Sequence, residues 1–403
     1  MRKFFNLTLL LVLFSLVLTA CGSPTPAAPA QPEETFKFGM LMVGPYNDRG
    51  YSQAHYEGGK YVEEKIPGTE MLYVDKVNPA DRPGTTPAQL AEDLVSKGAK
   101  LIIFNSDDMK DSALEFTADH PEIIVMHPSG DSAWKDGKEY KDLPNIGNVF
   151  GRMVYGKMMA GCAAALTTKT GQIGYLGPLI NDETRRLASA AYLGADYCWQ
   201  NYMGKDSADL KFKVTWIGFW FNIPGVTSDP TQVANDFFNT GYDVVLSGID
   251  TTEGITEAKK RAAEGKEVWG IPYDFIGSCE EGKDICLGVP YFNWGPAYVE
   301  VITAAKSGTW KPDWVWLAPD WKDINNPDSS IVGFYKGDAL SPEASTSLDK
   351  FIAELAGGLS LFSGPLNYQD GSPFLSEGQT ASDQQIWYLQ QLLEGMEGQS
   401  VSQ

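Results

Sequence analysis

The sequence predicts an α/β protein of two tandem lobes, each a parallel sheet covered by helices, and three observations carry this. Short apolar runs alternate with helical stretches along residues 36–273. The runs are apolar on both faces, as strands lying between two helical layers must be. The alternation starts afresh after PNIGNVFG at 144–151, which divides it into two series.

In the first series FKFGMLMV at 36–43 is a strand, the turn-rich GPYNDRGYS follows, and residues 52–65 form a helix. Strand MLYVDKV, a helix over 87–97, strand KLIIFNS, a helix over 110–120 and strand EIIVMHPSG complete it. The second series runs helix 151–167, strand QIGYLGP, helix 183–202, strand KVTWIGFW, helix 231–240, strand DVVLSGID, helix 252–264 and strand EVWGIPY. Crossings between lobes are expected near 145–150, 270–291 and 314–322. Residues 36–148, 275–310 and 338–403 are assigned to the first lobe, and 149–274 with 311–337 to the second lobe and hinge crossings.

Of 403 residues 43% are hydrophobic and 12% aromatic, enough to bury a core, and the length suits two domains of about 100–200 residues each. With 52 acidic against 32 basic residues and a net charge of -20, the chain would repel phosphate backbones. No Lys/Arg cluster offsets this, so nucleic acid is not an expected partner.

Residues 1–20 read as an export signal: Arg2 and Lys3 precede an apolar stretch from Leu7 to Leu18, too short for a membrane span. It ends in Leu18-Thr19-Ala20-Cys21-Gly22, which resembles the lipobox of bacterial lipoproteins, where the cysteine becomes the lipidated N-terminus. Residues 21–35 are proline-rich, carry no large apolar group before Thr35, and read as a flexible spacer. The expectation is an exported, membrane-anchored lipoprotein facing the periplasm or cell exterior. Export favours disulfides. Cys279 and Cys286 bracket the polar loop SCEEGKDIC and are expected to be joined; Cys162 and Cys198, in separate helices, are candidates for a second bridge. Zinc is the rival reading, but neither pair has CxxC spacing and no histidine is near, so no metal is expected.

Parallel sheets place ligand-binding loops at the carboxyl ends of their strands. Here those ends carry Tyr46, Asn47 and Asp48, then Asn105 to Asp108, Gly177 to Asn181, Trp220 to Asn222, Asp250 and Asp274. Singly, such residues could pack sheet ends or cap helices; together they suggest one cleft. Catalytic patterns are missing: there is no GxSxG, GxxxxGK, HExxH, or GxGxxG after the first strand. Asp107, Asp108 and Asp111 lack the glycine and glutamate of an EF-hand loop and read as helix caps. His55 could donate to a ligand, but no nucleophile accompanies it.

After the first strand stands Asp48-Arg49-Gly50-Tyr51-Ser52, and the second series opens on YGKMMAGCAAALTTKTGQIGYLGPLINDETRRLASAAYLGA. In order and spacing these blocks resemble the basic membrane protein (BMP, or PnrA-like) family of substrate-binding lipoproteins of ABC importers. The resemblance implies a type I periplasmic-binding fold, two Rossmann-like lobes joined by a hinge, closing on a small molecule with no cofactor and no catalysis. It implies a purine base or nucleoside stacked between aromatics, with Trp220 on one face and Tyr51 or Tyr46 on the other. Asp48, Asp107, Asp250 and Asp274 are the polar candidates. The family's Gly-Val-Asp-x-Asp falls on Gly270-Ile271-Pro272-Tyr273-Asp274, where only the second acid survives, and the ribose lysine is absent from Val289–Trp294. Both departures favour a free base over a nucleoside. The implied partners are an ABC permease and the lipid anchor, with the protein a monomer. A sugar ligand, a sensor role or an enzyme remain the alternatives.

Overall fold

The computed structural model describes residues 34–401; the expected signal peptide, Cys21 and nearly all of the spacer lie outside them. The chain opens with β1 (Phe36–Leu41), α1 (Tyr51–Lys65), β2 (Thr69–Val74), α2 (Pro87–Ser96), β3 (Ala99–Phe104), α3 (Lys110–Asp119), β4 (Ile124–Met126) and β5 (Ile146–Gly151). It continues through α4 (Met153–Thr167), β6 (Gln172–Gly177), α5 (Asp182–Asn201), β7 (Lys211–Trp216), α6 (Pro230–Asn239), β8 (Val244–Ser247), α7 (Glu253–Ala263) and β9 (Trp269–Ile271). The last part holds β10 (Gly288–Phe292), α8 (Gly295–Lys306), β11 (Trp314–Leu317), β12 (Val332–Lys336), α9 (Pro342–Ala356), β13 (Leu366–Asn367), β14 (Pro373–Leu375), α10 (Asp383–Trp387) and β15 (Met396–Glu397).

Two separate parallel sheets form, in the orders β11-β5-β4-β3-β1-β2 and β15-β7-β6-β8-β9. Runs such as LIIF in β3 and VVLS in β8 are wholly buried, as strands covered on both faces require. The helix starts are set by local chemistry. At α5 the Asn181 side chain accepts from the Thr184 amide and the Thr184 hydroxyl closes the box on the Asn181 amide, which fixes Glu183 in the first turn. At α6, Asp229 caps and Pro230 occupies the first turn.

The antiparallel pair β10–β12 carries the chain between the lobes. After β10, α8 packs on α1 and β11 joins the first sheet beside β5; after β12, α9 packs on α4. This corrects two expectations. Residues 311–337 do not belong as a block to the second lobe, because β11 pairs with β5 of the first, and the last crossing is β12, not 314–322. Residues 338–403 do not pack mainly on the first lobe, because α9 lies on α4 and β15 pairs with β7 in the second sheet. From there Trp387 and Tyr388 reach back to Trp134 of the first lobe. Disulfides join Cys162 to Cys198, tying α4 to α5, and Cys279 to Cys286 in the loop before β10.

Candidate functional site

Between the two lobes, at the carboxyl ends of both sheets, the lining encloses a cavity of only about 20 Å3. The space is therefore a narrow slot. The first lobe contributes Tyr51 from α1, Ser106 and Asp107 after β3, and Ser129 after β4. The second contributes Tyr175 of β6, Pro178, Glu183, Thr184 and Leu187, then Trp220 after β7, Gly248 and Asp250 after β8, and Tyr273 with Asp274 after β9.

Five of the seven expected residues meet in this slot: Tyr51, Asp107, Trp220, Asp250 and Asp274. Tyr51 donates its hydroxyl to the Asn105 carbonyl at 2.8 Å and sits edge-on to His55 and Trp294. Trp220 has its indole N–H buried with no partner among the described residues. Asp107 accepts weakly from Asn181 of the other lobe at 3.4 Å.

Two expected residues lie elsewhere. The Asp48 carboxylate accepts from the amides of Gly50 (2.8 Å), Ser52 (3.0 Å) and Gln53 (2.9 Å), so it caps the start of α1; burial nonetheless raises its pKa to about 6 against those hydrogen bonds. Tyr46 is 39% exposed and packs on Tyr56 and Tyr73 at the surface. His55 is buried in an aromatic stack, 4.1 Å from the Trp294 ring and hydrogen-bonded to the Tyr298 hydroxyl, with burial holding its pKa well below the usual value. It packs the hinge and does not line the slot.

Asp274 is the most unusual residue. It is fully buried, adopts a left-handed φ of 70°, and is pinned on the crossing strand by its amide to the Pro290 carbonyl (3.1 Å) and by the Phe292 amide to its own carbonyl (3.0 Å). Among the described residues neither carboxylate oxygen has a hydrogen-bond partner. The Tyr273 hydroxyl lies near enough to favour the charged form but is not placed as a hydrogen bond. Burial pushes the pKa of Asp274 and of Asp250 well above the usual range; the Lys157 ammonium opposes it for Asp274, and the Asp274 charge reinforces it for Asp250.

Sequence reading missed Glu183, Tyr175 and Tyr273. Glu183 sits two residues beyond Asn181, in NDETRR, and its signal is an acid in the first turn of a helix after a strand. Burial raises its pKa to about 7, opposed by Arg186, whose guanidinium lies 3.6 Å away. Among the described residues no group of three or more His, Cys, Asp or Glu is placed to hold a metal ion.

Residues 36–313 match the family described as ABC transporter substrate-binding protein PnrA-like. The chain belongs to this family. It is thus an extracytoplasmic substrate-binding protein of an ABC transporter and not an enzyme. A purine-binding protein of Brucella abortus is 26% identical over 89% of this chain and 91% of its own length. A nucleoside-binding BMP protein of Lactococcus lactis is 26% identical over 72% of this chain and 75% of its own. A putative glucose-binding protein of Haloferax volcanii is 23% identical over 70% of this chain and 64% of its own. Among solved structures, an ABC solute-binding protein of Aeropyrum pernix superposes with a TM-score of 0.63 at 12% identity, over 83% of this chain and 93% of that one. The fold of this PnrA-like chain is the type I periplasmic-binding fold.

Proposed function

We propose that this PnrA-like protein captures a purine base in the inter-lobe slot and delivers it to an ABC permease. The observation that carries this reading is Asp274: a buried, strained carboxylate with both oxygens unpaired has a cost that a ligand N–H edge would offset. Tyr51 and Trp220 come from opposite lobes and supply aromatic surface to a slot too narrow for a bulky ligand. The Brucella and Lactococcus relatives, named for purines and nucleosides, support the same class.

The Haloferax relative favours a sugar as the second reading. A sugar site is expected to use Asn and Arg side chains around the ring hydroxyls, whereas among the described residues no Asn, Gln, Arg or Lys lines the slot, whose donors are Ser, Thr, Tyr and Trp side chains beside four carboxylates. A thermal-shift screen separates the two, since a ligand that binds only the folded state raises the melting temperature. Purine bases should stabilise the protein and glucose should not; stabilisation by glucose alone would reject the base reading. We further propose that Cys21 carries a lipid tether, in which case incorporation of labelled palmitate is lost on Cys21→Ser; retention of label would reject it.

A further inference from the structure

Lys157 is 1% exposed on α4, just behind the slot. Its ammonium donates to the Ser247 carbonyl of β8 at 2.7 Å and lies 3.1 Å from the centre of the Tyr273 ring. Tyr175 of β6 lies on another side, its ring centre 5.4 Å away. The charged groups acting on it are Asp274 after β9, Asp250 after β8 and Glu183 of α5; the other elements packed on α4, which are β10, β12 and α9, add none. Burial lowers the pKa of Lys157 to about 7, and those three acids work against that shift.

The placement solves a specific problem. An ammonium bonded directly to Asp274 would consume an acceptor. Held instead by a carbonyl and an aromatic face, Lys157 supplies compensating charge while both Asp274 oxygens stay free. An ionised carboxylate only accepts, so it matches two adjacent N–H groups; a protonated one donates and accepts, and matches one N–H beside one ring nitrogen or carbonyl. We propose that Lys157 is a positioning residue of this site, acting through Asp274 to make the slot select bases whose edge presents two adjacent N–H donors. This rests on the reading of the slot as a base site. Among purines the selected edge is that of guanine, with its ring N–H next to an amino group, over that of adenine.

Calorimetric titration with guanine and adenine across pH 6 to 9, on wild type, Lys157→Met and Asp274→Asn, tests it. Wild type should show a guanine preference that sets in as pH rises and Asp274 ionises, reaching about 5- to 150-fold, the discrimination of one bidentate pair. In Lys157→Met, where Asp274 ionises unaided, the same preference should set in only at higher pH. Asp274→Asn, which donates and accepts at every pH and so fits adenine's edge and guanine's ring N–H beside its carbonyl alike, should lose the guanine preference with a flat profile, and it keeps the test intact should Lys157→Met not fold. Equal guanine-to-adenine ratios in wild type and a folded variant would overturn the inference while leaving the base reading standing. No binding of either base by wild type would overturn both.

Discussion

Asp274 and Trp220 carry the site for different reasons. The acid is costly to bury unpaired, so its contribution to binding depends on a ligand that gives it N–H groups. The indole offers surface, which is sequence-legible as an aromatic at a strand end. Trp220→Ala should weaken base binding by about 1–3 kcal/mol, or roughly 5- to 150-fold, and, because the indole is also buried in the core, lower the unliganded melting temperature as well. Unchanged affinity by titration would place the ligand elsewhere. Asp107, Trp220, Asp250 and Asp274 reach the slot because strand-end position is legible from periodicity, and Tyr51, at the start of α1, was reached only through the family resemblance. Tyr46 and Asp48 do not, because the same position also suits a helix cap and a surface aromatic cluster, and only the turn geometry of GPYNDRG decides between them. Lys157 was illegible: mid-helix in an apolar run, it gives no sign of what lies behind it.

At the level of elements, the start of α1 meets the loop after β8. A Cβ on Gly50 would collide with the Asp250 carbonyl, so glycine is what lets the backbones of the two lobes touch beside the slot. The Ser278 hydroxyl donates to the Arg49 carbonyl at 2.7 Å, and Arg49 pairs with Glu281 at 2.7 Å across the same seam. Gly50→Ala should therefore weaken ligand binding at least as much as Trp220→Ala while each lobe keeps its own core, read as an intact circular dichroism spectrum with lost ligand-induced thermal shift. A full thermal shift in that variant would mean the lobes need not meet this closely. The two βαβ series were legible in the sequence because apolar runs alternate regularly with amphipathic stretches, even where the strand is as short as β4 or β9. The C-terminal third was not: β15 is two residues long and gains its place only by pairing with β7, more than 180 positions earlier.

For the whole molecule, the concentration of buried acids ties stability to pH. Glu183, with its pKa raised to about 7 by burial, and Asp48, raised to about 6, hold protons more tightly in the fold than in the unfolded chain. Folding stability from these groups therefore falls as pH rises from about 4.5 to about 7 for Glu183, and levels off above. The melting temperature of Glu183→Gln should fall less over that window than that of wild type, and parallel curves would contradict this assignment.

The central claim, that the inter-lobe slot is where a base binds and that Asp274 reads its edge, is tested most directly by isothermal titration of a purine base into wild type and Asp274→Ala. One ligand per chain should bind wild type, and the variant should bind far more weakly although folded, losing less for a methylated analogue that lacks the edge N–H. Equal affinities for wild type and Asp274→Ala would contradict it.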